Sequence, residues 1–178
     1  LLEAGGDEAA REALARARQL GERACAALAG ASPRFSHAAL FCLVRVLLEA
    51  GEPDQAKSWL ARIGTAAPAP PAAGSLAMAH WRLSEALVAL RAAEADPAAV
   101  AAGLDALDGV AHPRVREGDL FLALLRCRFE AFERGGDHAH ALACQRRWAE
   151  AKARLRARLA RAHGRWTTET ATAWRTEA

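Results

Sequence analysis

The chain has 178 residues, enough for one domain or one short array, and a formal net charge of +3. Alanine, leucine, arginine and glutamate dominate and tyrosine is absent, so residues that form helices outnumber those that favour strands. The composition predicts an all-α protein and excludes a fold built mainly from strands. A net charge this small does not by itself indicate any class of partner.

The chain shows no sequence pattern of a secreted or membrane protein. It begins with Leu1 rather than methionine, and its first residues do not show the charged segment followed by an apolar segment that is typical of a signal peptide. The longest apolar run, residues 38–48, contains Arg45 and is far shorter than the ~20 residues that cross a bilayer. We therefore expect a cytoplasmic segment of a longer protein that makes no contact with membrane.

Three helices are predicted before the first proline-rich segment. They span residues 7–28, 36–50 and 54–63, where leucine and alanine recur at three- and four-residue steps. Gly51 is predicted to take the left-handed conformation that ends the second helix. A side-chain oxygen at each helix start is expected to accept a backbone hydrogen bond. The predicted N-cap residues are Asp7, Ser36 and Asp54.

A linker and four more helices follow. Residues 64–74 are rich in alanine and proline and are predicted to be extended, since proline cannot donate a helical hydrogen bond. Ser75 and Asp96 are the predicted starts of the fourth and fifth helices, and the fifth is predicted to end at Gly109. The sixth helix is predicted over residues 115–134. The seventh begins near Asp137 and shows no break until at least residue 166.

A short signature recurs between helices. Gly51 is followed five positions later by Ala56, and Gly136 is followed in the same way by Ala141. The two glycines are 85 residues apart, about twice a period of 42 residues, and a weaker copy lies between them. A period of this size predicts an α-helical repeat array, a kind of fold that usually binds other molecules rather than catalysing reactions.

These residues resemble the tetratricopeptide repeat. In that family a small residue follows the first helix of each repeat and an alanine lies early in the second helix, as in the signature here. The family also has a small residue within the first helix, where this chain has Val44 and Phe129 instead. The other positions that carry the resemblance are Pro68 in the first repeat, Asp96, Ala101 and Pro113 in the middle repeat, and Phe132 in the last.

The resemblance implies an α–α superhelix of about three helical hairpins. It places a capping helix in residues 1–34, a repeat array in 35–150, and a connector or coiled-coil helix in 151–178. The hairpins would cover about residues 36–63, 75–109 and 114–150.

The end of the chain is also similar to sensory segments of bacterial signalling proteins. In those proteins a long helix after the last repeat leads into an output domain, commonly a diguanylate cyclase. Residues 5–8 spell Gly-Gly-Asp-Glu, the start of the diguanylate cyclase signature, but that signature needs flanking strands and none is predicted here. We therefore predict that Asp7 and Glu8 only begin a helix.

No catalytic, cofactor-binding or metal-binding residues are predicted. The chain has no nucleophile–base pair, phosphate loop or zinc motif, so we do not expect this segment to be an enzyme. His138 and His140 are two residues apart and would face different directions on a helix, so they are predicted to lie near a helix cap in solvent. Cys127 and Cys144 are predicted to form a helix contact or, as the alternative, a redox switch.

Aromatic and apolar residues give the candidate binding sites. Trp59, Trp81 and Trp148 lie in helices that would line a groove, where an exposed tryptophan could anchor a peptide; the alternative is core packing. In the last helix one apolar face follows a 4-3-4 spacing beside a row of arginines, which favours a coiled-coil seam. The residues of this predicted seam are Leu155, Leu159, Ala162 and Trp166.

The sequence predicts a sensory or regulatory binding module. It would bind a peptide, protein or small ligand in the groove and relay the event through the C-terminal helix, with a homodimer through that helix as one predicted partner. The alternative is a stand-alone adaptor that transmits nothing. A solvated arginine face, or contact of the arginines with nucleic acid, is less favoured.

Overall fold

The computed structural model describes the backbone of residues 2–28, 33–66, 71–92 and 95–176, and the side chains of 8–28, 34–65, 71–92 and 95–163. Over these ranges the chain forms eight helices and no strand, which confirms the all-α prediction. The helices are α1 (Leu2–Leu28), α2 (Pro33–Glu49), α3 (Pro53–Ala66), α4 (Leu76–Ala89), α5 (Pro97–Asp105), α6 (Pro113–Arg116), α7 (Asp119–Arg134) and α8 (His138–Thr176).

Helix α2 ends in a left-handed glycine turn, as predicted. Gly51 has φ +77°, a conformation that glycine adopts without the clash a Cβ would cause. Its N–H donates to the Leu48 carbonyl at 3.2 Å, and the N–H of Glu52 donates to the Leu47 carbonyl at 2.8 Å. These two bonds satisfy carbonyls that the end of a helix would otherwise leave without a partner.

Helix α7 ends in the same turn. Gly136 has φ +75°. Its N–H donates to the Glu133 carbonyl at 3.2 Å, and the N–H of Asp137 donates to the Phe132 carbonyl at 2.9 Å. The two copies of the sequence signature therefore begin with the same backbone conformation and the same pattern of two hydrogen bonds.

The alanine of the signature is explained by packing. The N–H of Ala56 donates to the Glu52 carbonyl at 3.2 Å, and the N–H of Ala141 donates to the Asp137 carbonyl at 3.0 Å, so each new helix starts directly after the turn. Ala56 is 0% exposed and Ala141 is 1% exposed. A small side chain at this point lets α3 pack closely on α2, and α8 on α7.

Successive helices form hairpins that contact one another in chain order. Helix α2 packs against α3, α4 against α5, and α7 against α8. Between hairpins, α2 contacts α4 and α4 contacts α7, while α3 and α5 each contact the first helix of the next hairpin. Helix α1 packs on α2 at the other end. Each unit therefore depends mainly on its neighbours, as in a helical array.

Arg18 links the first helix to the first glycine turn. Its Nη1 atom lies 2.8 Å from each carboxylate oxygen of Glu52, and its Nη2 atom donates to the Gln55 side-chain oxygen at 2.8 Å. Its Nε atom donates to Glu22 on α1 itself at 2.9 Å. These bonds join α1 to the turn between α2 and α3.

Several predicted helix starts were wrong. Helix α1 begins at Leu2, so Asp7 lies within the helix, and residues 5–8 form no strand turn. Ser36 and Asp54 also lie inside helices, because α2 begins at Pro33 and α3 at Pro53. Proline suits the first helical position, since its fixed φ is helical and the N–H it lacks would have no helical partner there.

Two boundaries in the second half also differ from the prediction. Helix α5 ends at Asp105, four residues before the predicted Gly109. The helix predicted over residues 115–134 is divided into α6 and α7, because Gly118 interrupts it. A Cβ on Gly118 would lie 2.7 Å from the Arg114 Cα, so only glycine fits this close approach.

Two predicted N-caps and the long last helix are confirmed. The Ser75 hydroxyl accepts from the Met78 N–H at 3.1 Å, and the Asp96 carboxylate accepts from the Ala98 N–H at 2.9 Å. Helix α8 has 39 residues. Pro68, which the repeat resemblance used, lies outside the described residues, as does the side chain of Trp166.

We predict that Gly51→Ala and Gly136→Ala each lower the free energy of unfolding by about 1–2 kcal/mol, because an L residue is strained at positive φ. Neither glycine has a neighbour within 4 Å of an added Cβ, so the loss measures backbone strain alone. Gly103→Ala is the control, since Gly103 is equally open but lies inside α5, and it should stabilise by about 0.5–1 kcal/mol. Denaturant unfolding gives all three values, and a loss at Gly103 equal to the other two contradicts this account.

Candidate functional site

Two of the three candidate tryptophans contribute to the core. The centroid of the half-buried Trp81 ring lies 5.2 Å from that of His37. A Cβ on Gly64 would approach the Trp81 ring to 2.8 Å, so α3 and α4 meet closely here. Trp59 and Trp81 both pack, partly buried, against the buried cluster that includes Leu40, Leu43 and Leu47. The Arg62 guanidinium lies 4.9 Å from the Trp59 ring centroid. These contacts favour the core-packing alternative for Trp59 and Trp81.

Trp148, the third candidate, lines a groove. This groove lies between α2, α4, α7 and α8 and has a volume of about 270 Å³. Leu48 and Leu87 form part of its apolar lining. Its charged lining is made of Arg45, Arg91, Arg126 and Lys152 with Glu49, Asp119 and Glu130.

Salt bridges occupy two of the three groove carboxylates. Glu130 accepts from Arg91 and also lies 3.2 Å from Arg134. Asp119 accepts two hydrogen bonds from Arg114, at 3.0 and 2.6 Å, and the Arg114 guanidinium lowers the pKa of this carboxyl. Arginines of the protein itself therefore neutralise two of the three carboxylates that line the groove.

Three groove cations have no carboxylate partner in the part of the chain that the structure describes. Lys152 lies with its Nζ 4.3 Å from the centroid of the Trp148 ring, and Arg45 lies 5.7 Å from the centroid of the Phe41 ring. Arg126 is exposed and makes no salt bridge with a described residue. Among the groove carboxylates only Glu49 also lacks a described partner. Three unpaired cations therefore face one unpaired carboxylate, and the groove has a surplus of positive charge.

An apolar slot adjoins the groove. It has a volume of about 230 Å³ between α7 and α8, and Trp148 and Arg126 belong to both cavities. The remaining lining residues are Leu125, Phe129 and Gln145. The combined site can therefore hold an apolar group in the slot and a negatively charged group in the groove, with Trp148 lining both cavities.

Sequence reasoning missed Arg45, Arg126 and Phe129 as site residues. One signal was available, because Arg45 and Glu130 both stand six residues before a turn glycine and so hold equivalent places in α2 and α7. Aligning the two copies on their glycines pairs Arg45 with Glu130, while no sequence pattern singled out Arg126 or Phe129 as a site residue.

The cysteines lie in surroundings that disfavour the reactive thiolate. Burial raises the pKa of Cys127 to about 12 and also raises the pKa of Cys144. Both are free buried thiols. Cys25 is also buried, whereas Cys42 lies on the outer face of α2 and is exposed. The high pKa values favour the helix-contact alternative for Cys127 and Cys144 over a redox switch.

The two neighbouring histidines lie at the start of α8 in solvent, as predicted. Asp137 accepts from the His140 N–H at 3.2 Å, and its other oxygen lies 2.7 Å from His140 Nδ1. The His140 N–H is the main cause of the lowered pKa of Asp137. His138 Nδ1 lies 3.9 Å from a Glu133 oxygen. Among the described residues no group of three or more histidine, cysteine, aspartate or glutamate side chains could hold a metal ion.

The predicted seam lies where α8 extends past α7. Leu155 is half-buried and Leu159 is 60% exposed. Arg158 of α8 donates to Glu117 at 2.6 Å, which joins this part of α8 to the residues between α6 and α7. The homodimer through this seam stays a prediction.

Two buried histidines lie between α2 and α4. His37 is 1% exposed and His80 is 2% exposed, and their Nδ1 atoms have no described hydrogen-bond partner. The His80 ring centroid lies 5.6 Å from that of Phe41. Burial, and secondarily the charge of Arg114, lower the pKa of His80 to about 4, and burial also lowers the pKa of His37.

Comparisons with known proteins assign no family. No family model, no curated protein and no solved structure matches the chain. None of the helices that the structure describes has an apolar stretch long enough to cross a membrane.

We predict that the protein loses stability as the pH falls from about 6.5 towards 4. The unfolded chain takes up a proton at His80 near the ordinary pKa of 6.5, whereas the folded chain does so only near pKa 4, so protons favour unfolding across this window. Between pH 7 and 4.5 the loss from His80 should be of the order of 2–3 kcal/mol. Denaturant unfolding at pH 7 and 4.5 measures it.

The control is His80→Leu, which removes the titrating group and keeps an apolar side chain. Its stability should fall less between pH 7 and 4.5 than that of the wild type. An equal fall in both proteins would show that other groups cause the pH dependence.

Proposed function

We propose that this chain is a non-catalytic binding module whose groove takes a peptide segment of a protein partner. The segment would place an apolar side chain in the slot beside Phe129 and a carboxylate near the unpaired groove cations, Arg45, Arg126 and Lys152. Trp148 would contact both parts of the ligand. Pockets of this mixed kind, an apolar wall with a few polar groups, are typical of specific binding sites.

The observation that carries the proposal is the position of Trp148 and Lys152. Both line the groove, and both belong to α8, the helix that continues beyond the hairpins. A ligand held against them would act directly on α8, without an intervening hinge. We therefore propose that the module is sensory or regulatory and passes ligand binding on through this helix.

The stacked hairpins support the same proposal. The groove is formed by α2, α4 and α7, the first helices of three successive hairpins. A ligand that spans them would change how neighbouring hairpins pack, and in an array such a change passes from unit to unit. The resemblance to tetratricopeptide repeats and to sensory segments of bacterial signalling proteins agrees with this role, in which an output domain such as a diguanylate cyclase would lie elsewhere in a longer protein.

Selection from a displayed random-peptide library tests the binding proposal. We expect the wild-type chain to enrich peptides that combine an aromatic or large aliphatic residue with a nearby acidic residue. Arg45→Ala and Arg126→Ala should each weaken binding of the selected peptide about 5- to 30-fold, since each removes a charge-assisted contact of about 1–2 kcal/mol. Both arginines are exposed, so the fold should be retained.

Arg23→Ala is the matched control, because Arg23 is an exposed arginine of α1, which does not line the groove. It should leave peptide affinity unchanged. Enrichment of no peptide, or of peptides whose affinity ignores Arg45 and Arg126, contradicts the proposal.

A further inference from the structure

Helix α8 presents one apolar stripe along residues 138–163, the part whose side chains the structure describes. Ala141, Cys144 and Ala151 belong to this stripe and are 1%, 7% and 3% exposed, because α7 covers them. The same stripe continues through Leu155 and Leu159 to Ala162, at steps of four and three residues. Helix α7 begins at Asp119, so this continuation extends beyond its cover and Leu159 is 60% exposed.

Basic residues flank the continuation on both sides. With about 100° between successive residues of an α-helix, Arg154, Arg158 and Arg161 fall on one side of the stripe. Lys152, Arg156 and His163 fall on the other. Residues 152–163 contain no aspartate or glutamate. The result is a narrow apolar seam between two positively charged edges.

Internal ion pairs neutralise only part of this charge. Arg158 is paired with Glu117 at 2.6 Å, and Arg154 lies 3.7 Å from Glu150, where both side chains are largely exposed. Arg156 and Arg161 have no salt bridge with any described residue. Both edges therefore keep at least one free positive charge.

A second copy of this chain fits the seam poorly. In a coiled coil the residues beside the seam of one helix face those beside the seam of the other. Two copies of α8 would bring arginine against arginine in the parallel and in the antiparallel arrangement. The charges thus disfavour the homodimer that the spacing of the apolar residues alone suggests.

The seam also distinguishes between other classes of partner. Nucleic acid would use the arginines but would leave the Leu155–Leu159 stripe uncovered. A membrane surface is usually bound by a broad apolar face, whereas this seam is only about one apolar residue wide. A helix with an apolar stripe and acidic edges covers the leucines and neutralises both edges at once.

We propose that the outer part of α8, residues 152–163, pairs with an amphipathic α-helix of another protein or domain that carries acidic residues on both sides of its apolar stripe. This heterotypic interface shares only Lys152 with the groove and does not require the groove to be occupied. Its apolar seam supplies affinity, and its charges select the partner and exclude self-pairing.

A synthetic partner tests the proposal on the full chain. The probe is a peptide of about four heptads with leucine or isoleucine along the seam and glutamate at both flanking positions. The control peptide has the same seam with lysine at the flanking positions. We expect binding of the acidic peptide alone, weakened by added salt, and a monomeric protein in sedimentation when no peptide is present.

Variants of the chain locate the interface. Leu159→Ser should weaken the acidic peptide at least about tenfold, as should the double variant Arg156→Glu/Arg161→Glu. Leu142→Ser is the apolar control, since Leu142 is 46% exposed on the opposite face of α8. Arg11→Glu/Arg23→Glu is the charge control on α1, where both arginines are exposed. Neither control should change the affinity by more than about twofold.

Each of the following results would overturn the proposal. One is a stable dimer of the wild-type chain that Leu159→Ser dissociates, which would establish self-pairing. Another is tighter binding to duplex DNA or to phosphatidylserine vesicles than to the acidic peptide. The last is equal loss of binding in the Leu142 and Leu159 variants, or equal binding of the acidic and basic peptides. Because the groove variants Arg45→Ala and Arg126→Ala should bind the acidic helix normally, failure here is distinguishable from failure of the groove proposal.

Discussion

The left-handed glycine turn is the constraint on which the hairpins at both ends of the array depend. At Gly51 and Gly136 the backbone reverses direction within a few residues, and two hydrogen bonds from the turn satisfy the end of the preceding helix. A buried alanine then allows the next helix to return along the first at close range. The groove exists because α2 and α7 are fixed in this way, with α4 between them and α8 folded back beside α7.

Helix α8 has two roles that follow from its length. Its first part closes the last hairpin and supplies Trp148 and Lys152 to the groove. Its continuation carries the same apolar stripe past the start of α7, where Leu159 is exposed between basic residues. A helix is stiff over this distance because every residue in its interior is bonded to the next turn. The groove and the outer seam are therefore two surfaces of one rigid element.

The sequence predicted the features that depend on local chemistry. Residue patterns predicted the left-handed turn at Gly51 and the N-caps at Ser75 and Asp96. They also predicted that α8 continues without a break. The predicted starts of α2 and α3 were wrong, because each helix begins at a proline, Pro33 or Pro53, ahead of the predicted N-cap residue. The break at Gly118 was missed because its cause is the close approach of the Arg114 backbone.

The site was predictable only in part, because a groove depends on which residues meet across helices. Trp59, Trp81 and Trp148 looked equivalent in sequence, yet Trp81 packs against His37 in the core while Trp148 borders two cavities. The surplus positive charge of the groove could not be predicted either. The surplus arises because Arg91 pairs with Glu130 and Arg114 pairs with Asp119, which removes two of the groove's negative charges.

The central claim is that α8 joins the groove to the outer seam, and hydrogen exchange of its amides tests this most directly. The measurement compares the chain alone with the chain saturated by a peptide that occupies the groove. The account predicts that exchange slows at residues 148–152 and also from residue 155 onward, where no groove ligand makes contact. Slowing confined to the groove-lining residues would contradict it, and would identify the chain as an adaptor that binds without relaying.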